Sequence, residues 1–406
     1  MSASVLGNVT LGYEPIWNRL RKRTGMRLFV DTSHSSAVDA RHLLAAIAEL
    51  WPDTAPRLML QVRSQALLAD LLDHTPGNSL HLEIGDPWLE DAMLAGRVRK
   101  AHQRGVQLVW SGDPGQVPAP EVAGWFCNTL RMITPQEALA ALRVSLRQHQ
   151  DSGMGTSTLG SSPIVAGSYY QGLASQALIE HALDRQGIAG AAGWPAEEIL
   201  HGYRFQQIQP DRQLINTLLI AIEADESMET IEHRLGNEPL LAYRFLRYAN
   251  SAHLGTKAEV DNIRQGLMVM GYTKLRNWLL EQLPHASSDP NLAPIRASMV
   301  MRARIMEWLC NAGAEDQLRH EVFLCGIFSQ LDLLLGEPLG AAIHRLPLPG
   351  RIASAIVGQS GPYAPWLEVA SALESQNTRM IHDVCIAHNM PADEVNRALL
   401  RTLAAA

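Results

Sequence analysis

The chain has 406 residues, 47% of them hydrophobic and 18% charged, enough to bury two cores and too apolar for a disordered chain. Its net charge of −7 and pI near 6.1 argue against a constitutive nucleic-acid coat, which needs a basic face. No stretch approaches 18 uncharged apolar residues, and the N-terminus has no apolar signal core, so a cytoplasmic protein without a membrane span is expected.

The first half alternates short apolar runs with helical patterns. Strands are expected at Met26–Asp31, Arg57–Val62, Ser79–Ile84, Val106–Trp110, Leu130–Ile133 and Pro163–Ala166, with a weaker one at Ile188–Ala192. Helices are expected between them, at Ala37–Trp51, Ser64–Leu72, Trp88–Arg104 and Pro135–His149. Strand–helix–strand succession implies parallel strands with helical crossovers, and near-continuous apolar strands imply burial on both faces. The basic run Arg19–Arg27 carries five cations and no acid, and reads as a solvated surface segment. Asp151–Ser162, rich in Gly and Ser, reads as a loop; no GK[ST] follows its glycines, so it is not a phosphate loop.

From Asp211 onward strand signals stop. Helical patterns run through Gln213–Ala224, Ser227–Leu235, Leu240–Ala249, Asp261–Met270, Thr273–Gln282, Ala293–Ala312 and Asp316–Leu335, and on to Thr402. Ser227 and Asp261 are expected helix caps. Leu241, Phe245 and Tyr248 share one helical face, and Ile263, Leu267 and Met270 another. The expected organisation is an α/β domain over 1–210 and an all-α domain over 211–406. The four cysteines form no CxxC pair and the fifteen histidines no HExxH or HxH pattern, so neither a disulfide framework nor a zinc site is expected. His382-Asp383 lacks identifiable partner ligands. Glu83 reads first as a strand-end acid pairing with a base, and Trp278 as core.

The stretch Asn237–Asn277, with its corner Asn250-Ser251-Ala252 and Gly271, together with Met299–Gly336 and Leu346–Gly361, resembles the HDOD domain, a helical relative of the HD phosphohydrolases. The resemblance covers about Ile208 to Gln376. It implies that Asn250, Ser251, Ala252 and Gly271 are structural motif positions. It also puts Ser329-Gln330 where the hydrolases carry their metal-binding His-Asp pair. Neither side chain replaces such ligands, so metal hydrolysis there is not expected.

The N-terminal half resembles an EAL-type β/α barrel, which in active members hydrolyses cyclic di-GMP. The similar pieces are Tyr13-Glu14-Pro15-Ile16, the strand Leu80–Ile84 with Glu83 at a metal-ligand place, and His201-Gly202-Tyr203-Arg204-Phe205. The ExLxR motif is missing, and the strands expected to carry further catalytic groups read LVWSG, TLRM and IVAGS. The region is also short for a full barrel. A reduced, degenerate EAL-like domain with no catalytic residues, no metal and no cofactor is therefore expected. The function that follows is bacterial signal transduction through protein partners, without membrane or direct nucleic-acid contact. The alternatives are a cyclic di-GMP or other nucleotide sensor, with Glu83, Arg131 and Arg204 as ligand contacts, and a cryptic metal-dependent phosphodiesterase.

Overall fold

A computed structural model describes residues 4–32, 38–150, 161–251, 259–310 and 316–405. Ala252 and most of the expected loop from Asp151 lie outside the described residues. The chain divides into two compact units, 1–198 with 372–406, and 199–371.

The first unit is a closed eight-stranded barrel: β1 Val9–Trp17, β2 Arg23–Thr32, β3 Arg57–Val62, β4 His81–Gly85, β5 Gln107–Ser111, β6 Asn128–Met132, β7 Tyr169–Gln171 and β8 Gly190–Ala192. Strands β2 to β8 pair in parallel, whereas β1 is antiparallel to both β2 and β8. Hence β1 and β2 form a hairpin and need no crossover helix. The hairpin turn is built by Asn18, whose side-chain oxygen accepts from Leu20 N and Lys22 N, and by Arg21 in a left-handed conformation, φ 55°.

The expectation of a reduced barrel is corrected: all eight strands are present. The domain is short because β7 and β8 have three residues each and because a hairpin replaces one crossover. The strand expected at Pro163–Ala166 is irregular, and its place is taken by Tyr169–Gln171. The apolar PIVA run is still used, since Ile164 packs with Tyr170, Ile179 and Leu183 in the layer outside the strands. Inside the barrel, Ile16, Met59, Val109, Leu130, Tyr169 and Ala192 form the core. The basic run is solvated only in part, at exposed Arg19 and Lys22. Arg21 is buried and forms a two-pronged ion pair with Asp184, and Arg27 lies inside the barrel.

The domain division also differs from 1–210 and 211–406, because the last helices, Thr378–Ala387 and Ala392–Ala405, belong with the barrel. Buried Asn396 donates to the carbonyls of Leu6 and Val9, 2.8 Å each, and Tyr13 N donates to Leu373 O. Gly12 is required at this contact, since a Cβ there would collide with the Ser375 carbonyl. Helical periodicity in 378–402 was legible; that its apolar face meets β1 is a long-range fact that periodicity does not carry.

The second unit is all α-helical. Its helices include Arg212–Glu223, Met228–Gly236, Pro239–Ala249, Ala293–Leu309 and Asp316–Phe328. Ser227 caps the second of these through Thr230 N. The expected cap Asp261 is corrected to Asn262, which accepts from Gln265 N at 2.8 Å while Asp261 accepts from Asn262 Nδ2. Leu241, Phe245, Ile263, Leu267 and Met270 are buried. Gly326 lets the last two helices touch, since a Cβ there would lie 2.5 Å from Ala303 Cα.

Candidate functional site

Side-chain alternation along the strands selects what enters the barrel. In register, Glu14 pairs with Arg27, Arg27 with Met59, and Gln61 with Glu83. Met59 belongs to the interior core, so Glu14, Arg27, Gln61 and Glu83 share the inner face. The C-terminal ends of parallel barrel strands are where such folds place reactive groups.

Here that region is occupied by one buried cation. Arg27 and Glu83 are each 2% exposed. Arg27 Nε and Nη2 donate to the two Glu83 carboxylate oxygens, both at 2.7 Å, in a fork-on-fork pair. Arg27 Nη1 donates to Glu14 at 3.1 Å and to Gln171 Oε1 at 2.7 Å. The guanidinium also lies 4.9 Å from the Phe29 ring centroid. Burial works to lower the Arg27 pKa, but Glu83 and then Glu14 outweigh it and hold the group above its ordinary value. The arrangement is a satisfied buried ion network: one cation meets two carboxylates and an amide.

The upper end of this face is covered by the unit's own C-terminal segment. Gln376 Nε2 donates to Glu14 at 3.3 Å, Arg63 to the Gln376 carbonyl at 2.8 Å, and Thr378 to Asp31 at 3.0 Å.

The three expected ligand contacts do not come together. Glu83 is engaged by Arg27. Arg131 is in register with Tyr170, which packs in the outer layer, while its neighbour Leu130 faces the interior. Arg131 therefore points away from Glu83. Arg204 belongs to the second unit, where it is exposed, bonds the His201 carbonyl at 3.0 Å and covers the Phe205 ring. Sequence reading missed Arg27 as a site residue. The available signal was a lone arginine in MRLFVD, flanked by apolar residues at a position whose alternation points inward.

In the helical unit, Asn250 ends the Pro239–Ala249 helix. Its Nδ2 donates to the carbonyls of Leu246 and Val260, and its Oδ1 accepts from Val260 N, all at 2.8 Å. The adjacent Ser251 hydroxyl is buried with no hydrogen-bond partner among the described residues. Gly271 sits inside Ile263–Gln282 at φ 63° and ψ 169°, a conformation essentially confined to glycine, and divides the element into two helical segments. Ser329 Oγ donates to Gly326 O at 2.7 Å and lies 3.4 Å from Arg302 Nη1. With its amide turned, the Gln330 oxygen accepts from the same guanidinium at 3.1–3.2 Å. Trp278 is 3% exposed and packs on Phe245 and Tyr248. His382-Asp383 lies on the Thr378–Ala387 helix, and no described group of three or more His, Cys, Asp or Glu is placed to hold a metal ion.

Residues 212–335, within the helical unit, match the HDOD domain model. Among curated proteins, the chain is 26% identical over 141 residues to the uncharacterised protein YuxH of Bacillus subtilis, covering 34% of each chain. It is 22% identical over 170 residues to the cyclic di-GMP phosphodiesterase CdgJ of Vibrio cholerae, covering 42% of this chain and 39% of that one. The chain thus matches under half the length of both relatives. A response regulator, MmoQ of Methylococcus capsulatus, aligns in structure with a TM-score of 0.39 and 15% identity, over 48% of this chain and 98% of its own. No described helix is long and apolar enough to cross a membrane.

Proposed function

We propose that the protein is a non-catalytic signal-transduction regulator, pairing a degenerate EAL-like barrel with an HDOD domain and acting through protein partners. The observation that carries this reading is the Arg27–Glu83 pair. Phosphodiester hydrolysis on two cations needs several carboxylates free to bind metal. Both Glu83 oxygens are taken by Arg27, which also engages Glu14. A divalent ion at that place would meet a guanidinium 2.7 Å from both Glu83 oxygens and 3.1 Å from Glu14. The residues do not fit a metal. The Ser329-Gln330 position supports the same reading, since buried Arg302 faces it.

A second reading, cyclic di-GMP hydrolysis or sensing, is favoured by the name of the Vibrio cholerae relative. Calorimetric titration with cyclic di-GMP, with and without Mg²⁺ or Mn²⁺, followed by chromatography, separates the two. The regulator reading expects no metal-dependent product. Binding without product makes the protein a sensor, and metal-dependent product overturns the proposal.

A further inference from the structure

The helical unit carries a recess of about 640 Å³, within the usual range for small-molecule sites of roughly 300–1,000 Å³. Arg244, Arg247, Tyr248, Gln209, Gln282 and His285 line it, and no carboxylate does among the described residues. The protein as a whole is acidic, so two guanidiniums and an imidazole without a lining acid are a local exception.

Arg244 is the key group. It is half-buried, and its described hydrogen bonds go to neutral partners: Nη2 to Gln209 Oε1 at 2.9 Å and Nη1 to Gln282 Oε1 at 3.3 Å. Burial, with Arg247 adding to it and Glu238 opposing it, lowers its pKa. Glu238 acts on it only through its charge: Glu238 accepts from Leu241 N, and its Oε1 lies 2.9 Å from Arg296 Nε. A partly desolvated guanidinium held by amides is a cation with no anion in direct contact among the described residues. Arg247, one helical turn on, is exposed and reaches over the Tyr243 ring. Beside them, the half-exposed Tyr248 ring packs against Trp278, which also lines the recess, centroids 5.9 Å apart. The two glutamine amides offer both donors and acceptors.

We propose that this recess binds a nucleotide: Arg244 and Arg247 take the phosphate in forked hydrogen bonds, and Tyr248 stacks on the base. This site lies wholly within the 199–371 unit and is independent of whether the barrel binds or hydrolyses anything.

The test is calorimetric titration of the full chain at low salt with AMP, GMP, CMP and UMP, each compared with its nucleoside and with inorganic phosphate. At least one mononucleotide is expected to bind at least tenfold more tightly than its nucleoside or phosphate. That binding falls at least tenfold in Arg244→Gln, in Arg247→Gln and in Tyr248→Leu. Arg247 is exposed, so its variant should unfold thermally like the wild type and keeps the test clear of folding defects. The proposal is overturned if no mononucleotide binds, if binding survives both arginine substitutions, or if phosphate alone binds as well as the nucleotide, leaving the ring without a role.

Discussion

At the scale of single residues, the chemistry turns on one arginine in a place where alternation directs a side chain inward. A buried ion pair contributes little net stability relative to apolar residues, because desolvation offsets the attraction, yet removing one member strands the other. Arg27→Ala leaves Glu83 and Glu14 facing each other without a cation, and should cost about 3–5 kcal/mol in denaturant unfolding. The paired change Arg27→Met with Glu83→Gln should cost clearly less than Arg27→Ala, and equal costs would mean that the pair is not coupled. Gly271 makes a different point. Nothing lies within 4 Å of a Cβ built there, so Gly271→Ala probes backbone strain alone. A loss of roughly 1–3 kcal/mol is expected, and an unchanged unfolding midpoint would show that the two helical segments do not require this conformation.

At the scale of elements, pattern reading succeeded where the period was sustained. Arg57–Val62 was legible to the residue, and the two segments either side of Gly271 were legible because apolar residues recur with helical spacing. It failed where elements are short. Tyr169–Gln171 holds its place by pairing with its neighbours rather than by its own propensity, which a local window does not contain, whereas the weak signal at Ile188–Ala192 does contain the strand Gly190–Ala192. The candidate site was legible in half: Glu83 is visible as an acid in an apolar strand, but its partner is 56 residues away. Between helices of the second unit, His320 Nε2 lies 3.1 Å from Glu232. The Glu232 hydrogen bond, against opposing burial, raises the His320 pKa above its ordinary 6.5. A raised histidine pKa stabilises the fold fully below the unfolded value, and that contribution is lost as pH rises from 6.5 through the folded value. His320→Gln should therefore flatten the decline in stability over this window, measured by denaturation across a pH series. An unaltered slope would rule out this ion pair as its source.

At the scale of the whole molecule, the chain returns to its beginning. The segment 372–406 covers β1 and sits over Glu14 and Asp31. A chain ending at 371 would uncover Leu6, Val9 and Gly12, with the carbonyls that Asn396 satisfies. Limited proteolysis should then cut residues 4–32 far faster than in the full chain, and equal rates would mean that the barrel closes without this segment. The account as a whole rests on Arg27 holding the barrel's cation position. The most direct measurement is a Mn²⁺ titration of the wild type and of Glu83→Gln, followed by electron paramagnetic resonance. The account predicts no bound Mn²⁺ that depends on Glu83. Mn²⁺ held by the wild type and released by Glu83→Gln would contradict it, because Glu83 would then be a metal ligand rather than the partner of Arg27.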